Sequence, residues 1–420
     1  MIKKIVKYLI VNFCPKIIFL WLVFNIKNYK KKKGQINVLV FSQERWEEDL
    51  KIIGSFNDVN LIFLPSRKVE IINALIRNQS IKEKSNKKLL IDLINFLVKK
   101  RNIDIAVSCS CLYKREKIWA ETFTQLNLPF VAWHKEFTLI RKEDTKKIIK
   151  NIKRKFERFK GALVCCNNNT AKKILSESKI MDKKKIKITG LIRADHLFKK
   201  EINLFRSTKK SIVFFSFGHT TGPFFPTKKT LYENRDHYFS KNNNEGFINL
   251  FNSTHLIFMK KALLHPNIDF FIKPKNPNPG WIKEIKLVAQ KKLNCNFNEI
   301  KNCHIVHDNA YNLMKNSSAN ICFNSTTLIE SVLSEKNTII PLYFEAKNQH
   351  SDQVYFKKYL DLFSVANSES DFENLIEKSL SEKKLKQINN SLLKKLCKEN
   401  LGNNDGQSGK RFVETLRSLT

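Results

Sequence analysis

From Gly34 onward, short apolar segments alternate with longer segments of helical spacing, and this alternation constrains the fold more than any other feature of the chain. Apolar residues run almost continuously through the short segments, which is typical of strands buried on both faces of a parallel sheet. The first series of predicted strands covers residues 36–41, 59–64, 104–110, 129–133, 161–166 and 186–190. Helical patterns lie between them, for example at 88–101 and 117–128, so this part is predicted to form a doubly wound α/β domain.

The same alternation restarts after a polar stretch at residues 206–210. The second series of predicted strands covers residues 211–218, 268–274, 303–308, 319–325 and 337–344. Predicted helices of this half lie near residues 246–264, 281–292, 309–316 and 326–335. Helical spacing also marks 371–380 and 411–420. The second half is therefore predicted to repeat the architecture of the first.

The fold class predicted from this repetition is α/β, with two tandem Rossmann-like doubly wound domains. A chain of 420 residues is too long for one ordinary core, which agrees with two domains. We set the domain limits at 34–205 and 206–385, followed by a C-terminal helical extension at 386–420. Ligands of such sheets bind beyond the carboxyl ends of the strands, so we expect the chemistry in a crevice between two facing domains.

The first 33 residues are basic and hydrophobic, and they predict a segment that associates with a membrane. Residues 8–26 are mostly apolar and are flanked by lysines, but Pro15 and Lys16 stand at their centre. A lysine at mid-bilayer costs roughly 2.5–3.5 kcal/mol, so a true span is disfavoured. No small-residue cleavage site of a signal peptide follows. The segment is predicted either to lie in an anionic membrane interface or to pack as a helix on its own domain.

The formal net charge of +37 suggests a polyanionic partner. Most of the 76 basic residues are lysines, however, whereas arginine is the side chain that reads phosphates and guanine edges in a planar, two-pronged geometry. No zinc-finger, RNA-recognition or basic recognition-helix pattern accompanies the charge. We therefore expect no nucleic-acid partner and regard an anionic membrane surface as the better match.

Nine cysteines without a Cys-x-x-Cys pair favour a reducing compartment without a disulfide framework or structural zinc. Cys109, Cys111, Cys165 and Cys166 lie in apolar, strand-like segments and are expected to be buried thiols. The close histidine pair His304 and His307 lies at a predicted strand end without the carboxylate cluster that is typical of zinc proteases. We predict no metal site.

The segment at residues 319–346 has the most informative local pattern. A predicted strand ends at Phe323, and the polar residues that follow lead into a predicted helix. Hydroxyl groups and main-chain N–H groups at such a point are able to bind phosphate, although the same residues also favour a simple helix N-cap. The candidate phosphate ligands are Asn324, Ser325, Thr326 and Thr327. Glu330, one helical turn further on, is the candidate ligand of a ribose.

Two further loops of the second half carry candidate phosphate ligands. The strand at residues 211–218 leads into Gly218, His219 and Thr220, a glycine-containing turn that allows close approach to a ligand or serves only as a turn. It matches neither a GxGxxG nor a Walker pattern, so classical dinucleotide and P-loop chemistry are disfavoured. The strand at 268–274 ends in a proline-rich loop with Lys273 and Lys275, whose ammonium groups are able to neutralise phosphate.

The first half ends two of its strands in charged residues. His134, Lys135 and Glu136 follow the apolar residues 129–133, which makes them either a general base with a neighbouring cation or ordinary surface charges. The segment at 185–198 contains Gly190, Arg193 and Asp195 before the stretch that joins the two halves.

Taken together, these segments resemble bacterial GT-B glycosyltransferases of capsule and lipopolysaccharide synthesis and the related CDP-glycerol glycerophosphotransferases. The resemblance implies a GT-B-like fold. It assigns the donor diphosphate to Ser325, Thr326 and Thr327 together with the loops at 218–222 and 273–275, and the nucleotide ribose to Glu330. Lys275 stands where the families usually have histidine. Gly190, Arg193 and Asp195 match an element that has an interdomain role.

The activity implied by the resemblance is transfer of a sugar from a nucleotide-sugar donor to a lipid-linked or growing surface glycan. Glu136 or His134 would deprotonate the acceptor hydroxyl, and Lys135 would neutralise an acidic group. No cofactor and no obligatory metal are expected, and the enzyme would work at the cytoplasmic face of the membrane. A polyol-phosphate transferase, a nucleotide-sugar 2-epimerase and a non-catalytic nucleic-acid-binding protein remain as alternatives.

Overall fold

The structure, a computed structural model, describes residues 34–64, 69–70, 73, 83–198, 210–221, 246–275, 279–381, 384–403 and 405–420. The predicted membrane-associating segment, 1–33, lies outside the described residues. Within the described ranges, no helix is long and apolar enough to cross a membrane. The described chain divides into two compact units, the first formed by residues up to Phe198 together with Lys398–Thr420 and the second by Lys210 to Cys397.

The first unit contains a six-stranded parallel sheet, with its strands in the order β2-β1-β3-β4-β5-β6. Its strands are β1 Ile36–Phe41, β2 Val59–Leu64, β3 Ile105–Ser108, β4 Phe130–His134, β5 Leu163–Cys166 and β6 Ile186–Ile188. The chain leaves β1 toward β2 and returns to the other side of β1 at β3. The topological switch point of this sheet therefore lies between the carboxyl ends of β1 and β3, where ligands of open α/β sheets usually bind.

Helices connect these strands and bury their apolar faces on the sheet. They are α1 Glu47–Gly54, α2 Glu83–Arg101, α3 Lys114–Gln125, α4 Thr145–Lys155, α5 Asn169–Glu177 and α6 Asp195–Phe198. Phe41 of β1 illustrates the packing: its ring centroid lies 5.1 Å from that of Trp119 in α3 and 5.3 Å from that of Phe130 in β4. Aromatic pairs at these distances add to the free energy gained from apolar burial.

The second unit repeats the architecture, with a six-stranded parallel sheet in the order β12-β11-β10-β7-β8-β9. Its strands are β7 Ser211–Ser216, β8 Asp269–Pro274, β9 Cys303–Ile305, β10 Ala319–Cys322, β11 Asn337–Pro341 and β12 Ser364–Ala366. Its helices are α7 Ile248–Leu264, α8 Pro279–Leu293, α9 Ala310–Asn316, α10 Thr327–Leu333 and α11 Glu369–Ser381. Because β7 has β8 on one side and β10 on the other, the switch point lies between β7 and β10.

A closed polar network lies inside the second unit. The Trp281 indole donates to the Ser216 hydroxyl over 2.9 Å, and the same hydroxyl lies 2.9 Å from Nε2 of His255. His255 Nδ1 lies 2.7 Å from the carbonyl oxygen of Phe251, which can only accept, so Nδ1 carries the proton. Burial lowers the pKa of His255 to about 3 and keeps the ring neutral. Every member therefore has a partner, and the network locks β7 to α7 and α8.

The C-terminal residues form α12 Asn390–Asn400 and α13 Ser408–Arg417. The extension predicted at 386–420 is helical over these ranges, and its residues from Lys398 onward belong to the first unit. The predicted α/β fold with two parallel sheets is confirmed, and each predicted strand has an observed counterpart, several of them shorter. The strand β12 was not predicted, because three residues, Ser-Val-Ala, are too few to give a recognisable apolar pattern.

Candidate functional site

At the carboxyl edge of the first sheet, Lys135 and Glu136 follow β4, and Asn167 follows β5. The Asn167 amide donates to the carbonyl oxygen of Lys135 over 3.0 Å and to the Thr138 hydroxyl over 2.7 Å. The loop after β4 is therefore held by its neighbour in the sheet. Glu136 is exposed in this loop, while Lys135 is half-buried and its ammonium donates to the carbonyl oxygen of Arg45.

His134, predicted as a catalytic base, is the last residue of β4 and is fully buried. Its Nδ1 lies 3.2 Å from the Ser110 hydroxyl and 3.6 Å from the Cys111 sulfur, and its ring is tilted by 54° against that of Phe137, with 4.7 Å between the centroids. Burial lowers the pKa of His134 to about 3. A base this weak contributes little to proton transfer near neutral pH. Of the three predicted catalytic residues, Glu136 has a carboxylate that is exposed to solvent.

Sequence reasoning missed the polar cluster at the switch point of the first sheet. Ser42 follows β1 in a left-handed conformation with φ 54°, and its hydroxyl donates to Oε1 of Glu116. Arg115 donates to the same hydroxyl oxygen over 2.6 Å, and its Nε lies 3.5 Å from Oε1 of Glu116. Burial raises the pKa of Glu116, and the Ser42 hydrogen bond and the Arg115 charge oppose the rise.

A signal for Glu116 exists in the sequence. Glu116, Trp119, Ala120 and Phe123 occupy positions i, i+3, i+4 and i+7 of α3, and all four are buried. The helical period therefore puts this carboxylate on the apolar face. A charged residue at such a position is a candidate for a tuned or functional group.

The element that contains Gly190, Arg193 and Asp195 makes its hydrogen bonds inside the first unit. The main-chain N–H of Arg193 donates to the buried carboxylate of Asp49 over 2.9 Å. Asp195 accepts from the main-chain N–H groups of Ser408 and Gly409 at the start of α13, over 3.0 and 2.7 Å. The interdomain role of Arg193 and Asp195 stays a prediction, since these contacts tie the C-terminal helix to its own unit.

The loop after β7 lies at the switch point of the second sheet. Its residues Gly218 and His219 are buried, and Thr220 is half-buried. The His219 carbonyl oxygen accepts from the main-chain N–H of Phe247 over 2.6 Å. Gly246 has φ 86°, and a Cβ built there would lie 2.1 Å from that carbonyl oxygen, so this close approach requires glycine.

On the other side of the switch point, the loop after β10 is held by Asn324. Asn324 has φ 48°; its side chain accepts from the Tyr355 N–H over 2.9 Å and donates to the Gln353 carbonyl oxygen over 3.1 Å. The Ser325 hydroxyl accepts from the Thr327 N–H over 3.3 Å. Thr326 precedes α10 without capping it by its side chain. Ser325 and Thr326 are both half-buried residues at the carboxyl edge of the sheet.

Lys273, Lys275 and Glu330 are the remaining residues that are predicted to bind the nucleotide-sugar donor. Lys273 pairs with Phe215 of β7 in the register of the sheet, one strand from the switch point. Burial lowers the pKa of Lys273, and the charge of Asp308 opposes this shift. Lys275 follows as an exposed residue, and Glu330 is half-buried in the first turn of α10.

Glu345, which sequence reasoning also missed, is a buried carboxylate that follows β11. It accepts from the main-chain N–H groups of Asn249 and Leu250, over 2.8 and 3.0 Å, at the beginning of α7. This helix end therefore already holds a negative charge. The Phe247 N–H donates to the His219 carbonyl oxygen, and the Tyr355 N–H donates to the Asn324 side chain. Together with the bonds of Glu345, these hydrogen bonds connect the loops after β7, β10 and β11.

In the described ranges, no group of three or more His, Cys, Asp and Glu side chains could hold a metal ion. His304 is exposed, with Nε2 3.9 Å from the Asp269 carboxylate. Burial raises the pKa of Cys109, Cys322 and Cys303 to about 12, so these thiols stay protonated.

Comparison of the sequence with known protein families and with curated proteins gave no match. The fold is similar to that of several solved structures. A protein from Listeria monocytogenes assigned as a UDP-N-acetylglucosamine 2-epimerase has a TM-score of 0.50 at 11% identity, over 91% of this chain and 96% of that one. A glycosyltransferase from Rickettsia africae has a TM-score of 0.49 at 13% identity, over 92% and 99% of the two chains.

The wall teichoic acid polymerase TagF covers 100% of this chain and 98% of its own, with a TM-score of 0.47 at 10% identity. Sequence identities of 10–13% show a similarity of fold and nothing about activity. The chain thus has a GT-B-like α/β architecture with two six-stranded parallel sheets, as its sequence predicts.

Proposed function

We propose that this protein is a GT-B-type glycosyltransferase that moves a sugar from a nucleotide-sugar donor to a surface polysaccharide such as capsule or lipopolysaccharide. The observation that carries the proposal is the switch point of the second sheet. Its two flanking loops contain His219 and Asn324, and hydrogen bonds within the protein hold both residues in place. A preorganised polar edge at this position is where open α/β sheets bind nucleotides.

The donor diphosphate is assigned to the polar groups at this edge. Lys273 supplies a partly buried positive charge, which acts more strongly than an exposed one because water screens it less. Glu330 is assigned to the ribose hydroxyls. The proposed phosphate ligands are Gly218, His219, Thr220, Lys273, Lys275, Asn324, Ser325, Thr326 and Thr327.

Acceptor activation is assigned to the first unit. The exposed Glu136 takes the proton from an acceptor hydroxyl as that oxygen bonds to the anomeric carbon of the donor sugar. The bond between the anomeric carbon and the phosphate oxygen breaks, and the nucleoside diphosphate leaves with the bonding electrons. Lys135 neutralises an acidic group of the acceptor. No metal or cofactor is assigned to this step, and EDTA is expected to leave the rate unchanged.

The acceptor is proposed to be a lipid-linked or growing glycan at the cytoplasmic face of the membrane. Support comes from the lysine-flanked apolar residues 8–26 and from the net charge of +37, which both favour an anionic surface. Deletion of residues 1–33 is expected to release the protein from membranes in a carbonate wash. If the truncated protein remained bound, the assignment of this segment would be wrong.

Thermal stabilisation of the full chain by UDP, GDP, CDP and CMP tests the proposed function. A nucleotide at 100 times its dissociation constant adds about 2.7 kcal/mol to the free energy of unfolding. Lys273→Ala is expected to reduce this gain, whereas Lys291→Ala, an exposed lysine on α8, is the matched control. A preference for CDP would indicate polyol-phosphate transfer, interconversion of nucleotide sugars would indicate an epimerase, and no response to any nucleotide would overturn the proposal.

A further inference from the structure

A pocket of about 400 Å³ opens beside β9, the last strand of the second sheet. Its floor consists of the buried side chains of Phe297, Ile300 and Cys303, and Ile282 of α8 forms one wall. None of the residues assigned to the nucleotide lines it. The volume falls in the range of small-molecule pockets, roughly 300–1,000 Å³, so this depression is large enough for a compact organic ligand.

The charged groups that line this pocket are all basic. Lys286 and Lys301 are exposed at its rim together with the imidazoles of His304 and His307, and among the residues that the structure describes no aspartate or glutamate lines it. The lining is therefore more basic than the chain as a whole, which carries 39 acidic residues beside its 76 lysines and arginines.

Two carboxylates lie near the pocket without lining it. Asp269 lies 3.9 Å from Nε2 of His304, and Glu299 accepts from the main-chain N–H of Asn296 over 3.0 Å. The carboxylate of Glu299 is thus directed to its own capping box at the start of the short helix Phe297–Glu299. Both lysines line the pocket, whereas neither of these two carboxylates does.

We propose that this pocket is a second ligand site, which binds a phosphate ester carried by a compact organic group. The lysine ammonium groups act as point charges for the phosphate, and the histidines are able to donate hydrogen bonds to it. The apolar floor contacts the carbon skeleton, which an inorganic ion lacks. A soluble sugar phosphate and a phospholipid headgroup share this chemistry. The site does not depend on the proposed transferase activity, because it uses none of the same residues.

Binding to the full chain tests the proposal with three probes: inorganic phosphate, glucose 1-phosphate and phosphatidylglycerol vesicles. Calorimetry measures the two soluble probes, and co-sedimentation at about 0.15 M salt measures the vesicles. The double variant Lys286→Glu/Lys301→Glu is expected to bind at least about 10-fold more weakly, since each lysine makes a charge-assisted contact. Lys283→Glu/Lys292→Glu, with the same charge change on exposed positions of α8, is expected to change affinity less than about 2-fold.

A steric variant separates the pocket from general charge attraction. Asn298→Trp fills the rim without changing the charge and is expected to weaken binding about 10-fold. Glucose 1-phosphate is expected to bind more tightly than inorganic phosphate. A response confined to glucose 1-phosphate supports a free sugar phosphate, and one confined to vesicles supports a lipid headgroup.

Three results would overturn the second site: no binding of either organic probe, equal loss in the two charge-reversal pairs, or unchanged binding in Asn298→Trp. Nucleotide stabilisation of the charge-reversal variant serves as the independent reading of the donor site. It is expected to match the wild type, so failure of one proposal does not decide the other.

Discussion

Each unit holds a buried glutamate near its switch point, and the two are held in opposite ways. In the first unit, the Glu116 carboxylate is held by the side chains of Ser42 and Arg115. In the second unit, Glu345 is held by main-chain N–H groups at the beginning of α7. Main-chain donors are fixed by the helix they belong to, whereas side-chain donors are able to change rotamer.

Glu345 is therefore expected to have a structural role, whereas the cluster of Ser42, Arg115 and Glu116 is expected to be adjustable. Glu345 joins the loop after β11 to α7, and α7 begins beside the loop after β7, so its removal affects two loops of the proposed donor site. Glu116 has a raised pKa and partners that a proton or a ligand could displace. The comparison therefore predicts large stability effects at the second switch point and pH-dependent effects in the first unit.

Replacement of Glu345 by alanine is expected to have the largest effect, a loss of about 3 kcal/mol in the free energy of unfolding. The change leaves the main-chain N–H groups of the exposed Asn249 and the buried Leu250 without their acceptor, and it removes a carboxylate from a helix N-terminus. Urea unfolding measures the loss, and Glu284→Ala, an exposed glutamate of the same unit, is the control. A loss below about 1 kcal/mol would show that α7 does not need this cap.

Asp49 predicts a pH dependence of similar size in the first unit. Burial raises the pKa of this carboxyl group from its ordinary value of 3.8 to about 6, so the folded state holds its proton more tightly than the unfolded state. The stability linked to this proton is present below pH 3.8 and is lost as the pH rises through 6, by about 3 kcal/mol in total.

Asp49→Asn removes that dependence and keeps an oxygen that accepts from the Arg193 N–H. Its stability relative to the wild type is therefore expected to increase by about 2.5 kcal/mol between about pH 4 and about pH 7.5, as measured by urea unfolding at both pH values. Parallel pH curves for the two proteins would contradict the assignment, since other titrating groups contribute equally to both.

Glu116→Gln is expected to change the free energy of unfolding by no more than about 1 kcal/mol, because the amide oxygen still accepts from Ser42 and the lost attraction to Arg115 is offset by removal of the cost of burying the charge. Glu121→Gln, on the same helix but half-exposed, is the matched control. A loss as large as that of Glu345→Ala would mean that the side-chain cluster is as rigid as the main-chain cap, and the comparison of the two switch points would fail.

Glu136→Gln is expected to have the smallest effect on stability, within about 0.5 kcal/mol, because the side chain is exposed. If Glu136 is the base of the proposed transfer, the same change lowers the transfer rate at least about 100-fold while nucleotide stabilisation persists. Full activity of this variant would remove Glu136 from the mechanism and leave the donor site unaffected.

The sequence by itself determined the α/β class, the two parallel sheets and most of their strands. Predominantly apolar segments such as 36–41 and 59–64 are typical of strands in a parallel sheet covered by helices, and the predicted bounds match those of β1 and β2. The loops with Asn324 and His219 were also predicted from sequence, because polar residues after a buried strand mark its carboxyl end. Their roles in donor binding stay predictions.

Only the tertiary structure decided which polar residues are buried and what they contact. His134 and Glu136 are two residues apart, yet one is fully buried and the other exposed. The partners of Asp195 and of Glu345 are 213 and 95 residues away along the chain, a separation that no local pattern encodes. Local propensity is fixed by neighbouring residues, whereas burial, capping and pKa depend on distant segments that only folding brings into contact.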